Sequence, residues 1–299
     1  MLAKARIFFS QRNVLEVDCP LITQAASVDA HIDLIEVDGG SETRYLHSSP
    51  EYGMKRLLAD GIGDIYQLAH VFRKGEISGK HNPEFTMAEW YRLGISFEQM
   101  MMETADFVRL FIGDLPLKIL SYRDAFKEFL GIDYLTSTMT ELLEVLRSHD
   151  IIPYPGVEEE GKDAILNLIL GSLIEPHLGK GEICALAYYP SSQAALAKTA
   201  LRDDEKVAER FELYYQGIEL ANGYHELADA KEQRERLIES NQHRIQLGKS
   251  PLPIDEHFLK ALEKGLPECC GVAVGFDRLM MLRHKQEIGE VIPFAWDIA

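Results

Sequence analysis

Apolar residues recur along the chain with two different spacings, and the switch from one to the other marks its elements. Residues 65–71 form an apolar run and residues 85–91 alternate large apolar with polar or acidic side chains, which predicts two strands. Between them residues 74–83 carry two glycines and a proline, so the pair reads as a hairpin with a long turn. Helical spacing takes over at residues 97–111, where Phe97, Met101, Ala105 and Val108 share a face, and at residues 121–130, capped by Ser121 and stopped at Gly131. Upstream, residues 1–12 read as a short helix with Ala3, Ile7 and Phe8 inward, followed by an apolar stretch at 14–17 and a stop at Pro20. Ser49 as N-cap, Pro50 at the first helical position and Glu51 in the first turn predict a helix over 51–59.

The second half follows the same rules. Residues 136–179 read as helices broken at Pro153-Tyr154-Pro155-Gly156, a helical insertion in one domain spanning 1–299. Strand character returns at 183–189 and at 211–215, the latter ending in a Gln216-Gly217 turn. A polar helix over 230–248 and another over 254–264 precede a glycine-flanked strand at 271–275, which runs through Phe276 into a helix with Arg278 in its first turn.

Composition narrows the function. A hydrophobic fraction of 46% supports a sizeable core without disulfide staples. The net charge of -17, from 48 acidic against 31 basic residues, disfavours a surface for polymeric nucleic acid. A local basic hairpin in an acidic body still focuses field on a small anion, which points to a nucleotide. Cys19, Cys184, Cys269 and Cys270 lack Cys-x-x-Cys spacing and read as reduced thiols, while His31, His47, His70 and His225 lack zinc-ligand spacing. No apolar run approaches the ~20 residues of a membrane helix, and the N-terminus lacks a signal-peptide core, so the expectation is a soluble cytoplasmic protein with no membrane partner. An uncapped helix at residue 1 suggests that further residues precede it.

Candidate chemistry gathers in three stretches: 71–92, 218–227 and 271–278. Arg73, Lys74, Lys80, His81 and Asn82 crowd the hairpin loop, Glu219 and Glu226 follow in the second stretch, and Arg278 in the third. Two guanidiniums and two carboxylates are the inventory that ATP with Mg²⁺ requires: cations for phosphate oxygens, hard oxygens for the metal. The sequence contains neither a Walker-type Gly-x-x-x-x-Gly-Lys run nor a kinase-type glycine loop, so another ATP architecture is needed. Taken singly, Arg73 and Arg278 are more often surface ion-pair partners, and Phe85, Trp90 and Tyr91 ordinary strand aromatics. Glu89 sits in the aromatic strand and is costly to bury unpaired; its partner is either a ligand ammonium or Arg92.

Pro20 after an apolar strand, the FRKGE…HNPEF hairpin, IELANGYHEL and GVAVGFDRL resemble motifs one, two and three of class II aminoacyl-tRNA synthetases, lysine branch. With SSPEYGMKRLL and HNPEFTMAEWYR, the wording is similar to the elongation factor P (R)-β-lysine ligase family, truncated paralogues of lysyl-tRNA synthetase, and the resemblance covers nearly the whole chain. It implies an α+β fold with a six- or seven-stranded antiparallel sheet flanked by helices, a homodimer formed around Pro20, and no anticodon-binding domain. It further implies Arg73 on the α-phosphate of ATP and Lys74, Gly75, Glu76, His81 and Asn82 in the loop around the nucleotide. Phe85 would stack on adenine, Glu219 and Leu220 would line the nucleotide, and Gly275 and Arg278 would close its far side. Glu212 and Glu219 would hold Mg²⁺. Glu226, Asn222, Glu89 and Tyr91 would enclose the distal ammonium of (R)-β-lysine or lysine, Ser49, Pro50 and Glu51 its reacting end, with Ala273 in the pocket wall. Arg73 and Arg278 would be the catalytic pair, and the acceptor a lysine of elongation factor P rather than tRNA.

Departures accompany the resemblance. Motif two of the synthetases reads Arg-Asn-Glu, against Arg73-Lys74-Gly75 here, with Glu76 adjacent as a substitute. Lysyl-tRNA synthetases carry Gly where this chain has Ala273; the methyl offers a switch of substrate geometry worth roughly 1 to 3 kcal/mol. The catalytic motifs begin almost at residue 1, leaving no room for an anticodon-binding barrel. A tRNA-charging enzyme and a catalytically silent dimeric binding module are the competing readings.

Overall fold

A computed structural model describes all 299 residues, which fold as two compact units, residues 1–113 with 225–299, and residues 114–224. In the first unit α1 (Leu2–Ser10) leads to β1 (Leu15–Glu16), then to the short strands β2 (Ile22–Thr23), β3 (Glu36–Asp38) and β4 (Thr43–Leu46), which form a small sheet of their own. Helix α2 (Glu51–Ala59), the hairpin β5 (Ile65–Phe72) and β6 (Glu84–Leu93), and α3 (Phe97–Ile112) complete this half.

The second unit runs β7 (Leu117–Ser121), α4 (Tyr122–Leu130), α5 (Met139–Ser148), α6 (Val157–Glu160), α7 (Lys162–Ile169), β8 (Ile183–Pro190), β9 (Thr199–Arg202), β10 (Glu205–Tyr215) and β11 (Ile218–His225). The chain then returns to the first unit with α8 (Ala230–Gln246), α9 (Glu256–Gly265), β12 (Cys269–Gly275), α10 (Phe276–His284) and α11 (Ile288–Val291). No helix is long and apolar enough to cross a membrane.

Both units are α+β and dominated by antiparallel pairing. In the first, β5 pairs with β6 and β6 with β12, while β1 joins β5 in parallel. In the second, β10 lies antiparallel to β8, β9 and β11, and β7 joins β8 in parallel. The antiparallel, helix-flanked architecture is the one expected, with β1–β5 and β7–β8 as parallel exceptions. A parallel neighbour needs a crossover rather than a tight turn, and the chains over 17–64 and 122–182 supply one each.

Period-two alternation divides the first sheet into a packing face and a chemical face. Tyr66, Trp90 and Val272 point one way, where Phe9 of α1 stacks on Tyr66 at 4.1 Å and Phe107 of α3 meets Trp90 at 5.1 Å. Trp90 is fully buried there and donates to Glu103 Oε1 at 3.0 Å, a core residue as its pattern predicts. Gln67, Glu89 and Ala273 are register partners on the opposite face.

The inward face of α1 is Ala5, Phe8 and Phe9, whereas Ala3 and Ile7 are exposed. This corrects the expected phase. Phe8 and Phe9 each pack edge or tilted against Phe107, and two large rings contribute more buried area than Ile7 does. Helix α2 spans the predicted residues 51–59, with Pro50 rather than Ser49 in the capping position and Ser49 Oγ accepting from the Glu51 N–H at 3.0 Å. The Ser121 cap, the left-handed Gly131 stop and the break at 153–156 fall where the sequence put them. At the β10–β11 hairpin both Gln216 and Gly217 have positive φ, 52° and 70°, which matches strand twist.

Candidate active site

The chemical face of the first unit holds three buried carboxylates, Glu51, Glu89 and Glu226. Glu89 accepts from Ser49 Oγ and from the Tyr91 hydroxyl, both at 2.7 Å. Arg92 is not its partner, because it points to the other face and pairs with Asp64 at 3.0 Å and Glu103 at 3.1 Å. Burial, together with the nearby Glu51 charge, pushes the Glu89 carboxyl up to about 8. The Tyr91 hydroxyl is held well above the usual phenol range by burial and by Glu89, so it serves as a donor.

Lys55, four residues after Glu51 on α2, lies fully buried between carboxylates, its Nζ 2.5 Å from Glu51 Oε1 and 2.5 Å from Glu226 Oε2. The ammonium thus bridges the two carboxylates out of reach of solvent. Burial raises the Glu226 carboxyl to about 7 despite the Lys55 charge. Beneath it, Gly271 is required by close packing: a Cβ there would stand 2.3 Å from Glu226 Oε1 and 2.3 Å from Tyr91 Cε1. Ala273, one strand residue pair away, puts its methyl directly opposite Glu89 in the β6–β12 register.

The cationic group lies at the other end of the same hairpin. Arg73 follows β5, its N–H bound to Pro83 O at 2.9 Å, and its guanidinium lies 5.2 Å from the Phe85 ring centroid. Glu76 Oε2 is 3.9 Å from Nη1, while the buried Nε has no hydrogen-bond partner. An unmatched buried guanidinium N–H is costly, and a phosphate oxygen would satisfy it. Lys74 and Gly75 are exposed, and Gly75 takes a left-handed φ of 79° that turns the loop.

His81 joins the loop to motif three: Arg278 Nη2 is 2.8 Å from its Nε2 and Ser78 Oγ 2.8 Å from its Nδ1. Burial first, then the charge of Arg278, lowers the His81 pKa, which keeps Nε2 an acceptor for the guanidinium. Asn82 is engaged with the protein on both ends of its amide, donating to Glu84 O at 2.6 Å and accepting from the Trp296 N–H at 3.0 Å. The chain after α10 therefore straps the loop, and the Ile288 N–H to Gly79 O bond at 3.1 Å adds a second tie. Asp277 fixes the start of α10 by accepting from the Thr86 N–H at 2.6 Å. At Gly275 an added Cβ would meet only the Arg278 side chain, at 3.5 Å, so the space above it is open to a ligand.

Glu212, Glu219, Leu220 and Asn222 belong to the second unit. Glu212 faces Asn222 and Tyr214 faces Glu219 across β10 and β11, with a bulge after Leu213 that leaves Leu220 unopposed. The bulge puts Glu219 and Asn222, three apart, on one face of β11, which strict alternation forbids. Glu212 accepts from Tyr189 and Tyr214 hydroxyls at 2.6 Å each, from Arg210 at 2.5 Å and from Asn222 Nδ2 at 3.4 Å. Burial opposes its ionisation, but the Arg210 charge and the two phenols outweigh that and lower its pKa. Four donors fill the acceptor positions of one carboxylate, so Glu212 as placed does not fit the role of an Mg²⁺ ligand.

Lys55, Gly271, Asp277, the Arg210–Tyr189–Tyr214 support of Glu212 and the C-terminal strap all escaped the sequence reading. Lys55 alone carried a usable signal, its i,i+4 spacing from Glu51.

The first unit thus carries an arginine with an unmatched buried N–H at one end of the hairpin and a cluster of buried carboxylates at the other, a charge pattern suited to an enzyme of the class II synthetase type. The family model for tRNA synthetases class II (D, K and N) matches residues 1–297. The chain is 42% identical over 306 residues to the elongation factor P–(R)-β-lysine ligase of Haemophilus influenzae, with 100% of this chain and 94% of that protein covered. Its identity to the protein of the same name from Klebsiella pneumoniae is 44%, with the same coverage. The chain belongs to the class II tRNA synthetases of the D, K and N type, in the family of the elongation factor P (R)-β-lysine ligases.

Proposed function

We infer that this protein is an ATP-dependent ligase that activates (R)-β-lysine as its acyl-adenylate and transfers it to a lysine side chain of elongation factor P. The observation that carries the reading is a charge count. Three buried carboxylates, Glu51, Glu89 and Glu226, face one buried ammonium, Lys55. The pocket is therefore complementary to a substrate with two ammonium groups, as lysine and β-lysine are. A carboxylate without a cation in an apolar site either binds one or takes up a proton, and Glu89 raised to about 8 is poised between the two.

With the diammonium substrate held by Glu51, Glu89, Glu226 and Tyr91, its carboxylate is directed along β6 toward Arg73. ATP supplies the adenylyl group. The substrate carboxylate attacks the α-phosphorus, pyrophosphate leaves, and Arg73 neutralises charge on the α-phosphate through the N–H that the protein leaves unmatched. Phe85 stacks on adenine, and Arg278, oriented by His81, holds the distal phosphates. A neutral lysine amine of the acceptor then attacks the acyl carbonyl; the C–N bond forms, AMP departs, and the amine loses its proton. No protein nucleophile is required. Lys74, Gly75, Glu76 and Asn82 shape the loop, and Ala273 opposite Glu89 sets which amino-acid geometry fits. A homodimer around Pro20 and a cytoplasmic setting complete the proposal.

The test is to incubate the protein with ATP, (R)-β-lysine and elongation factor P and to weigh the factor intact. A gain of one lysyl residue that requires all components is expected. An unmodified factor alongside aminoacylated tRNA would replace this reading with that of a tRNA-charging enzyme.

A further inference from the structure

We propose that Lys55 is a specificity-determining positioning residue that sets the pocket for a substrate with two ammonium groups, by neutralising one of three converging carboxylates and fixing two of them in place. The inference rests on the activity proposed above and adds a residue to it.

Lys55 is inaccessible to solvent, so its ammonium has no role at the surface. Glu51 and Tyr52 face it from its own helix, Glu89 from β6, Cys269 from β12 and Glu226 from the segment after β11, while Tyr91 of β6 and His225 at the end of β11 act on Glu226. Over it lies the Phe258 ring of α9, with its centroid 5.9 Å from Nζ. His225 is occupied by Glu268 at 2.6 Å, which leaves Lys55 as the cation that the three carboxylates share.

Without Lys55, three carboxylates in one desolvated site could not all ionise, and the pocket would carry protons instead of ammonium-binding charge. With it, Glu51 and Glu226 are drawn together on one ammonium, and Glu89, held by Ser49 and Tyr91, is left for the ligand's ammonium to ionise. Glu226 stands near 7 even beside Lys55, so its removal drives the carboxyl further from ionisation at neutral pH. The attraction of Glu226 and Glu51 outweighs burial and keeps Lys55 itself protonated.

The experiment measures (R)-β-lysine-dependent pyrophosphate exchange as a function of pH in wild type, Lys55→Met, and the charge-balanced Lys55→Met/Glu51→Gln. In Lys55→Met the KM for β-lysine rises about tenfold near pH 7 with kcat and the KM for ATP little changed, and the acid limb of kcat/KM moves up by about one pH unit. In the double variant, which restores two net negative charges but removes one carboxylate that holds the substrate, the limb returns toward wild type while the KM for β-lysine stays raised. A folded Lys55→Met with a wild-type limb overturns the inference alone, and so does failure of both variants to fold, which makes Lys55 a packing residue. No exchange in wild type overturns the parent activity and this inference with it. An insoluble single variant beside a soluble double variant with a wild-type limb supports charge balance.

Discussion

At the scale of single residues, the site is organised by what burial does to charge. Glu89 and Glu226 sit where a lone carboxylate is unfavourable, and the protein answers with hydroxyl donors on the first and one lysine on the second. The same crowding leaves no room for a side chain at Gly271. Gly271→Ala places a methyl 2.3 Å from both Glu226 Oε1 and Tyr91 Cε1, so the side chains must move. Overpacking of this kind costs about 1–3 kcal/mol. The KM for the amino acid in pyrophosphate exchange is expected to rise at least about tenfold while the KM for ATP stays near wild type. At this scale the sequence showed Glu89 as a buried acid in need of a partner but left Arg92 open as that partner. Which face of β6 each residue takes, and so which charges meet, is settled by the register with β5 and β12.

At the scale of elements, the hairpin of β5 and β6 carries both ends of the site, and its loop is held by contacts remote in sequence. The Arg278–His81 bond comes from α10, the Trp296–Asn82 and Ile288–Gly79 bonds from the chain beyond it. Nothing in the local pattern of residues 74–83 calls for these, because hydrogen bonds between segments some 200 residues apart leave no periodic trace. Deleting residues 292–299 removes the Trp296 donor and leaves the Asn82 carbonyl unmatched. The KM for ATP is expected to rise several-fold, with faster amide exchange across 75–82 and unchanged exchange in β12; equal exchange in the loop would rule the strap out as a restraint. Several helix boundaries, in contrast, were readable to within a residue or two where a capping side chain stood, as at Ser96, Ser121 and Asp255, though not at Thr138.

At the scale of the whole molecule, two units each bring their own core and their own buried charges. In the second, Glu212 and Arg210 form a buried pair bridged to Tyr189 and Tyr214. Glu212→Gln leaves the Arg210 guanidinium without its counter-charge, and breaking one side of such a pair costs about 3–5 kcal/mol. Amide exchange in 114–224 is expected to accelerate before that in 1–113, with the unfolding midpoint lowered; a variant as stable as wild type would free Glu212 for a metal. The sign with pH follows from its lowered pKa: the contribution is present above the ordinary carboxylate range and lost as pH falls through the folded value.

What the sequence determined by itself was the longer helices, the 65–72/84–93 hairpin, the strands at 183–190 and 269–275, and the family resemblance carried by its four long motifs, since local propensity, capping and alternation are properties of neighbouring positions. What only the tertiary structure decided was partnership. Lys55 between Glu51 and Glu226, Gly271 beneath them, the bulge that turns Glu219 and Asn222 to one face, and the filling of Glu212 by four donors all depend on side chains from different elements meeting in one place. Charge in a desolvated site is set by every group within a few ångströms, and a one-dimensional pattern carries no such distances.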